Sequence, residues 1–221
     1  MKKKILIFGS GGHAKVVLDI IENEDMYSIA GFIDNVSRKN SNLLGYSFLG
    51  DYSTLRDIVS RHKIYGGVIA IGDNAIRSKV HDKIIETFSD FEFVNCVHPR
   101  SIIGSDVNFG KGNVVMAGAV INPYSIIYNH CIINSNSTVE HDCKMGNFSS
   151  IATNASIGGN VHVGNFSAIG IGANVFHNVT VGNNCIIGGG SLVNSDTINN
   201  SIYYGSPSKL IRNHNFGDNY L

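Results

Sequence analysis

Apolar positions recur every six residues over the second half of the chain. Sixteen hexads follow one another from Ile103 without an insertion, and the first residue of every hexad is apolar. The fifth residue of each hexad is small or short, and eight of the sixteen second positions are glycine. A six-residue period keeps the side-chain alternation of a strand, while glycine and asparagine allow the turns between strands. The pattern predicts a parallel β-helix.

The first 97 residues have a different pattern, in which apolar runs of strand length alternate with amphipathic stretches of helix length. We predict strands at 4–9, 29–33, 67–71 and 91–97, and helices at 14–23, 55–61 and 75–88. Alternating strands and helices imply a parallel sheet with helices on its faces. The proline at position 99 marks a junction, because the residue before a proline avoids the helical region. We therefore expect an α/β domain over 1–97, a β-helix over 98–200 and a C-terminal tail over 201–221.

A glycine-rich segment, GSGGHA at 9–14, joins the first predicted strand to the first predicted helix. It fits the dinucleotide fingerprint G-x-G-x-x-G/A, and Asp34 follows it by twenty residues. A domain of ~97 residues supplies only about half of a dinucleotide fold. Backbone N–H groups at a helix N-terminus still favour a phosphate. The segment therefore predicts a nucleotide site, with a turn that serves only close helix packing as the alternative.

Composition narrows the choice of partners. Seventeen Lys and Arg balance seventeen Asp and Glu, so the chain carries no electrostatic footprint for nucleic acid or an anionic membrane. Its apolar runs are too short for a signal peptide or a membrane span, and we expect a cytoplasmic protein. Three of the four cysteines occupy the fifth position of a hexad, and no Cys-x-x-Cys pair occurs. We expect buried reduced thiols and no metal site.

The candidate catalytic group is His141, at the third position of its hexad, where the pattern tolerates any residue and side chains face outward. Glu140 and Asp142 flank it, so a carboxylate is available to orient the imidazole of a general base. Three hexads per coil would place residues eighteen apart on neighbouring coils, about 4.8 Å from each other. Gly159 would then lie beside His141 and leave space for an acyl-carrying arm. His177, the next member of this column, is interpreted as a surface or subunit-contact residue.

Two other columns of the repeat are interpreted as structural. Asparagine tolerates left-handed turns, so the column Asn129, Asn147, Asn165 and Asn183 is expected at a corner. Phe148 and Phe166 are adjacent in another column, and we expect them to form subunit contacts or surface packing rather than a ligand platform.

Several motifs together resemble a known family. They are the segments 9–13 (GSGGH), 32–35 (FIDN), 69–77 (IAIGDNAIR), 97–99 (VHP), 140–142 (EHD), 158–160 (GGN) and 205–209 (GSPSK). The chain resembles the hexapeptide-repeat sugar O-acyltransferases related to sialic-acid O-acetyltransferase. Within that group it is most similar to N-acetyltransferases that act on nucleotide-linked 4-amino-4,6-dideoxy sugars of the bacillosamine and perosamine type.

The resemblance implies a left-handed β-helix, a homotrimer, and acetyl-CoA as cosubstrate in a groove between adjacent β-helices. It makes His141 the base that deprotonates the sugar 4-amine, with Asp142 as its orienting partner, in a pathway of surface-glycan synthesis. The implied nucleotide-sugar residues are Gly11, Gly12, His13, Asp34, Asn35, Asn74 and Arg77. The implied acetyl-CoA residues are Ser150, Gly159, Gly189, Pro207 and Lys209. Three departures stand out: Ser150 replaces a histidine of bacillosamine-type relatives, Asp142 replaces a glutamate found in some, and Asn35 replaces the family's second acidic residue at the base-binding position.

Three alternatives remain open from the sequence. The same scaffold could acetylate a hydroxyl of sialic acid or of another sugar. A zinc-dependent hydrase would need three ligands, and His130, His141, His162 and His177 do not fall in such a cluster. A non-catalytic, nucleotide-sugar-binding trimeric scaffold is the third, and the exposed 140–142 segment beside paired glycines argues against it.

Overall fold

The computed structural model describes residues 2–35 and 42–218. The chain divides into two compact units between Pro99 and Arg100. The elements of the first unit, in chain order, are β1 (Lys3–Phe8), α1 (Gly12–Glu24), β2 (Tyr27–Ile33), β3 (Asn42–Leu43), β4 (Tyr46–Gly50), a 3₁₀ turn (Tyr52–Thr54), α2 (Leu55–His62), β5 (Gly66–Ile69), α3 (Asn74–Thr87) and β6 (Cys96–Val97).

The first unit is built on a sheet with strand order β3-β4-β2-β1-β5. The central strand β1 is parallel to both β2 and β5, so the carboxyl ends of these three strands share one edge. A buried core lies on the sheet, formed by residues such as Leu6, Phe8, Ile33, Ile69 and Ile84. The glycine turn after β1 and the acidic residue after β2 are therefore brought to the same edge.

Two parts of this unit differ from the prediction. The hairpin β3–β4 was not predicted, and its turn uses Leu44 and Gly45, both at positive φ. The predicted strand at 91–97 is confirmed only at its end, where Cys96–Val97 forms β6, while Phe93 makes one isolated parallel bridge with Gly67. Its apolar residues are buried by ring contacts instead, including Phe91 against Phe8 at a centroid distance of 5.6 Å. The apolar residues thus extend over a longer segment than the regular strand, because burial does not require a continuous ladder of hydrogen bonds.

The second unit is a left-handed parallel β-helix. Its two-residue strands are β7 (Ile102–Ile103), β8 (Asn108–Phe109), β9 (Val114–Val115), β10 (Val120–Ile121), β11 (Ile126–Ile127), β12 (Ile132–Ile133), β13 (Thr138–Val139), β14 (Lys144–Met145), β15 (Ser150–Ile151), β16 (Ser156–Ile157), β17 (His162–Val163), β18 (Ala168–Ile169), β19 (Asn174–Val175), β20 (Thr180–Val181), β21 (Ile186–Ile187) and β22 (Leu192–Val193). Pairing joins residues eighteen apart, as Thr138 with Ser156, so three hexads form one coil.

Three parallel sheets form the sides of the β-helix. The first runs β7-β10-β13-β16-β19-β22 and the second β8-β11-β14-β17-β20, while the third contains β9-β12-β15-β18-β21. The first-position side chains from Val115 to Val193 are all at most 3% exposed. The apolar period therefore corresponds to the interior column of each sheet, which supplies the hydrophobic free energy of this unit.

Asparagines form a hydrogen-bonded ladder along one corner. The corner was predicted, but the reason was wrong, because the left-handed residues are the next ones in the chain, His130, Phe148, Phe166 and Asn184. The Asn129 N–H donates to Asn147 Oδ1 at 3.0 Å, and the Asn147 N–H donates to Asn165 Oδ1 at 2.8 Å. The Asn165 N–H donates to Asn183 Oδ1 at 2.8 Å. Each side chain thus satisfies a corner N–H group of the preceding coil, which the strand ladders leave without a partner.

The tail forms a hairpin and then folds back on the β-helix. Strand β23 (Ser201–Tyr204) extends the third sheet beside β21, and β24 (Lys209–Asn213) is antiparallel to β23. His214 is then buried, and the Phe216 ring lies edge-on to Phe166 at 4.9 Å. Phe166 is stacked on Phe148 at 5.5 Å, and Phe148 on His130 at 4.8 Å. This aromatic column packs within the chain, with the tail at its end.

Candidate active site

His141 and Asp142 form an exposed dyad at the corner between the first and second sheets. His141 Nδ1 lies 2.8 Å from Asp142 Oδ2, and more than half of each side chain is exposed. The corner turns through Asp142, whose φ is +60°, a conformation that Asp and Asn tolerate better than most residues. With the Nδ1–H donated to the carboxylate, the Nε2 lone pair is free to accept a proton. The pair has the geometry of an oriented general base.

Gly159 lies beside this imidazole, as the eighteen-residue register predicts. A β-carbon at Gly159 would be 2.7 Å from His141 Nε2, so the space that Nε2 faces exists only because this residue is glycine. The Asn160 N–H donates to His141 O at 2.9 Å and keeps the two coils in register.

A groove of about 530 Å³ runs along the first sheet at this place. Gly158 and Gly159 form its floor, Glu140 lies on one side, and Phe176 and His177 lie on the other. Two adjacent residues without side chains leave a passage for a thin, flexible ligand. The backbone of Gly158 and Gly159 is therefore accessible from the groove.

The nearest cysteine is not a nucleophile. Cys143 follows the dyad but is buried, and its Sγ–H donates to Gly158 O at 3.1 Å. Burial raises the pKa of the Cys143 thiol to about 11, so the thiolate is scarce at neutral pH. All four cysteines are buried and free, as predicted. Cys143 is therefore not placed to act as the nucleophile of a covalent acyl-enzyme.

The remaining predicted acetyl-CoA residues lie elsewhere on the β-helix. Gly189 is exposed at the corner between the third and first sheets, and Ser150 is half-buried on the third sheet. Pro207 lies in the turn of the C-terminal hairpin, and Lys209 is exposed on β24. Within one chain, the structure brings only Gly159 of this group next to His141.

In the first unit, the glycine turn opens α1 at the carboxyl edge of the sheet. Gly11 is the N-cap of α1 and no side chain caps the helix, and neither Gly11 nor Gly12 has a neighbour near its missing β-carbon. The Ser10 hydroxyl donates to the carboxylate of Asp34 from the adjacent strand end. Asn35 is exposed directly after it. An open helix N-terminus beside a carboxylate suits a phosphate and a neighbouring hydroxyl or base N–H.

His13 is half-buried in the first turn of α1. Burial, together with the nearby positive charge of Arg77, lowers its pKa from 6.5 to about 4. The imidazole is therefore neutral at physiological pH. Its Nε2 is shielded from solvent and has no hydrogen-bond partner among the described residues.

Asn74 and Arg77 are both buried, each 1% exposed. Arg77 donates to Ile71 O and Gly72 O, both at 2.9 Å, and to Asn74 Oδ1 at 2.6 Å. The guanidinium thus fixes the loop between β5 and α3 from inside. Because the side chains of Asn74 and Arg77 face this loop, they are suited to fixing the loop at the carboxyl edge of the sheet rather than to contacting a ligand.

Sequence reasoning missed two residues at this edge. Ser10 lies within the glycine motif, but nothing in the motif assigns its hydroxyl to Asp34. Tyr52 is 6% exposed and stacks on Phe8, and burial and the charge of Asp34 raise the pKa of its hydroxyl. No periodic signal connects residue 52 with residue 34, because the two meet only through the sheet.

Residues 2–35 and 42–218 contain neither a candidate metal site nor a candidate membrane-spanning helix. No group of three or more His, Cys, Asp and Glu side chains is placed to hold a metal ion. No helix of this part of the chain is long and apolar enough to cross a membrane.

The fold agrees with that of known proteins. A family model described as the PglD N-terminal domain matches residues 4–84. The acetyltransferase domain of PglB from Neisseria gonorrhoeae, also solved in complex with acetyl coenzyme A, superposes with a TM-score of 0.86 and is 28% identical. That superposition covers 95% of this chain and 100% of the domain.

PerB from Caulobacter crescentus, solved with CoA and GDP-perosamine, is 31% identical over 95% of this chain and 97% of that chain, with a TM-score of 0.77. The same enzyme was also solved as variants in which one histidine is replaced by alanine or by asparagine. UDP-N-acetylbacillosamine N-acetyltransferase of Bacillus subtilis is 26% identical over 115 residues.

The chain spans about half the length of that curated Bacillus protein, 52%, and 21% of an uncharacterized mimivirus protein that it also matches. The PerB match extends over nearly all of both chains at more than 30% identity. The chain therefore belongs to the family of hexapeptide-repeat sugar acyltransferases that includes the N-acetyltransferases of the bacillosamine and perosamine type.

Proposed function

We propose that this protein transfers an acetyl group from acetyl-CoA to the 4-amino group of a nucleotide-linked 4-amino-4,6-dideoxyhexose. The observation that carries the proposal is the His141–Asp142 dyad, whose Nε2 lies beside Gly159, one of the two adjacent glycines that line the groove. PglB, solved with acetyl coenzyme A, and PerB, solved with CoA and GDP-perosamine, support the same donor and acceptor classes here.

In this mechanism the sugar amine attacks the thioester carbonyl carbon, a C–N bond forms and the C–S bond breaks. His141 Nε2 accepts the proton that the amine loses, and Asp142 stabilises the resulting imidazolium. That proton can then reach the departing thiolate, so the products are the amide and the free thiol of CoA. Positioning and one proton transfer carry the reaction, with base assistance contributing about 10²–10⁴-fold.

The nucleotide is assigned to the glycine turn of the first unit. The N–H groups at Gly11 and Gly12 would receive a phosphate, while Asp34 and Asn35 would accept or donate hydrogen bonds to the ribose or base. His13, neutral at pH 7, would contribute a hydrogen bond rather than a charge. Asn74 and Arg77 would act by holding the loop of the same edge.

Charge supports the assignment of Lys209 to the donor. Between Lys144 and Lys209 the sequence contains neither Lys nor Arg. The phosphates of CoA carry several negative charges, and Lys209 and Arg212 on β24 are the cations that the C-terminal end of the β-helix can offer them. Ser150, Gly189 and Pro207 complete the proposed donor residues.

We further propose a homotrimer in which two copies build each site. Gly159 lies at the corner of His141, whereas Gly189 lies at another corner of the same β-helix. A donor that contacts both corners would bridge adjacent copies, one supplying His141 and the next supplying Gly189. Each site would then be incomplete in a single chain.

The direct experiment measures thiol release from acetyl-CoA with UDP-, dTDP- and GDP-linked 4-amino-4,6-dideoxyhexoses and with free sialic acid. We expect turnover with one amino sugar, and a loss of kcat of at least about 100-fold in His141→Ala. His162→Ala, on the second sheet, is the matched control and should keep full activity. Turnover with sialic acid alone would indicate O-acetylation. If none of the acceptors gave thiol release, only a binding or scaffold role would remain.

A mixing experiment tests the shared site. His141→Ala and Gly189→Leu should each be inactive as pure proteins. Co-refolded in equal amounts, they should recover about a quarter of wild-type activity, because each site needs one intact His141 corner facing one intact Gly189 corner. No recovery in mixed trimers would contradict a site built from two copies.

A further inference from the structure

Tyr124 is the unusual member of the corner that carries the dyad. The second residue of this corner has positive φ in successive coils, and it is Asp106, Tyr124, Asp142, Asn160 and Asn178 in turn. Asp and Asn are common in this left-handed conformation because their short side chains bond locally, whereas a bulky side chain there is a conformational outlier. A tyrosine with φ of +62° therefore needs a compensating reason.

Packing within the chain supplies no such reason. Phe148 and Phe166 also have positive φ, but they stack on each other, and Phe148 is only 9% exposed. Tyr124 is 62% exposed. Among residues 2–35 and 42–218, its side chain makes no ring contact and no hydrogen bond. A bulky residue held in a left-handed conformation without packing in the described chain is an outlier from which a functional contact is inferred.

The position of Tyr124 selects the ligand. Pro123 and Tyr124 lie one coil before His141 and Asp142, and the Asp142 N–H donates to Pro123 O at 3.1 Å. Pro123 restricts the backbone that leads into Tyr124. His141 is therefore flanked by the bare Gly159 in the following coil and by the coil of Tyr124 in the preceding one.

The two coils that flank His141 suit different substrates, the following coil the acetyl donor and the preceding coil the acceptor sugar. The five residues assigned to the acetyl donor all follow His141 in the chain and lie in later hexads or in the C-terminal hairpin; they are Ser150, Gly159, Gly189, Pro207 and Lys209. The acceptor amine must reach His141 Nε2 from a direction that the donor does not occupy. The preceding coil is the side of His141 that carries none of the proposed donor residues, and its exposed side chain is an aromatic ring with a hydroxyl at its tip.

We propose that Tyr124 is a specificity-determining contact for the acceptor hexose, packing against the apolar C–H face and C6 methyl group of a 6-deoxy sugar. This inference rests on the proposed acetyl transfer. A tyrosine combines a large apolar face with a polar end, and so it covers a deoxyhexose ring while a hydroxyl of the sugar remains hydrogen-bonded. The contact would orient the 4-amine for attack without taking part in proton transfer.

Steady-state kinetics with each substrate varied in turn test this assignment. In Tyr124→Ala we expect the KM for the nucleotide-linked amino sugar to rise at least about tenfold, while the KM for acetyl-CoA changes less than about twofold. Tyr124→Phe keeps the ring and should stay within about threefold of wild type. Preference for a 6-deoxy over a 6-hydroxy acceptor should fall in Tyr124→Ala. Tyr128→Ala, an exposed tyrosine four residues later, is the matched control and should not change either KM.

Three results would overturn the assignment. An unchanged acceptor KM in Tyr124→Ala, with wild-type protein active in the same assay, would remove Tyr124 from the site and leave the proposed function intact. If light scattering showed that Tyr124→Ala dissociates the oligomer, and both KM values rose, Tyr124 would be a subunit contact. Absence of turnover in the wild-type protein with every amino sugar would overturn the proposed function itself, and the Tyr124 assignment with it.

Discussion

The His141 imidazole occupies the space that a side chain at Gly159 would fill, since a β-carbon there would lie 2.7 Å from both Nε2 and Cε1. The absence of a side chain at Gly159 therefore allows the imidazole of the proposed base to occupy this position. This relationship crosses from one coil to the next, and it makes the base sensitive to a single methyl group.

Gly159→Ala should displace the imidazole and lower kcat by about 10–100-fold, because small misplacements of a catalytic group are costly. Since His141 and Gly159 lie at the surface, the melting temperature should change little. The measurement is kcat with saturating substrates alongside thermal unfolding. A variant with normal kcat would show that the base tolerates a shifted ring, contrary to the proposed geometry.

Asp142→Asn tests the orienting carboxylate without disturbing the corner. Asparagine occupies the equivalent left-handed position at 160 and 178, so the fold should accept it. The amide can still contact Nδ1 but cannot stabilise an imidazolium, and it permits the wrong tautomer. We expect kcat to fall at least about tenfold with unchanged KM for acetyl-CoA. If wild type and Asp142→Asn had the same kcat, the 2.8 Å contact between His141 Nδ1 and Asp142 Oδ2 would have no catalytic role.

His13 should make the first unit less stable in mild acid. Its pKa is about 4 in the folded chain and near 6.5 when unfolded, so the unfolded chain binds the extra proton between these values. The free energy of unfolding should therefore fall as pH decreases from 6.5 to 4, by up to about 3 kcal/mol, and the effect is complete below pH 4.

The measurement is urea unfolding followed by ellipticity at 222 nm, because α1, α2 and α3 all belong to the first unit. His13→Gln removes the titrating group while keeping a polar side chain. The difference in unfolding free energy between wild type and variant should depend on pH in this window and be flat above pH 7. A difference that does not change with pH would mean that His13 titrates normally.

The asparagine ladder should contribute to stability through its side-chain oxygens. Asn165→Leu removes the acceptor of the Asn147 N–H and should lower the free energy of unfolding by about 1 kcal/mol. Asn165→Asp retains an oxygen at the same place and is the matched control. Thermal unfolding of the two variants distinguishes the hydrogen bond from simple packing, since equal melting temperatures would exclude the ladder as the cause.

Much of the site was predictable because the β-helix is nearly one-dimensional. Each coil contacts its neighbours with a constant offset, so a residue's surroundings follow from its position in the hexad and from the residues eighteen before and after it. The exposure of His141 follows from its position in the hexad, and the neighbourhood of Gly159 follows once three hexads form a coil, as the family resemblance implies. The glycine turn after β1 was predictable for a similar reason, because its function depends on a short local segment.

The sequence by itself determined the two architectures, the interior columns of the solenoid and the candidate base. Only the tertiary structure decided that Arg77 and Asn74 point into the loop, that Ser10 bonds to Asp34, and that the tail returns to Phe166. These contacts join segments with no constant offset, and their side-chain directions depend on which carbonyls and rings need partners after the chain has folded. A repeating offset can be read along a sequence, whereas a contact made once by distant segments exists only in three dimensions.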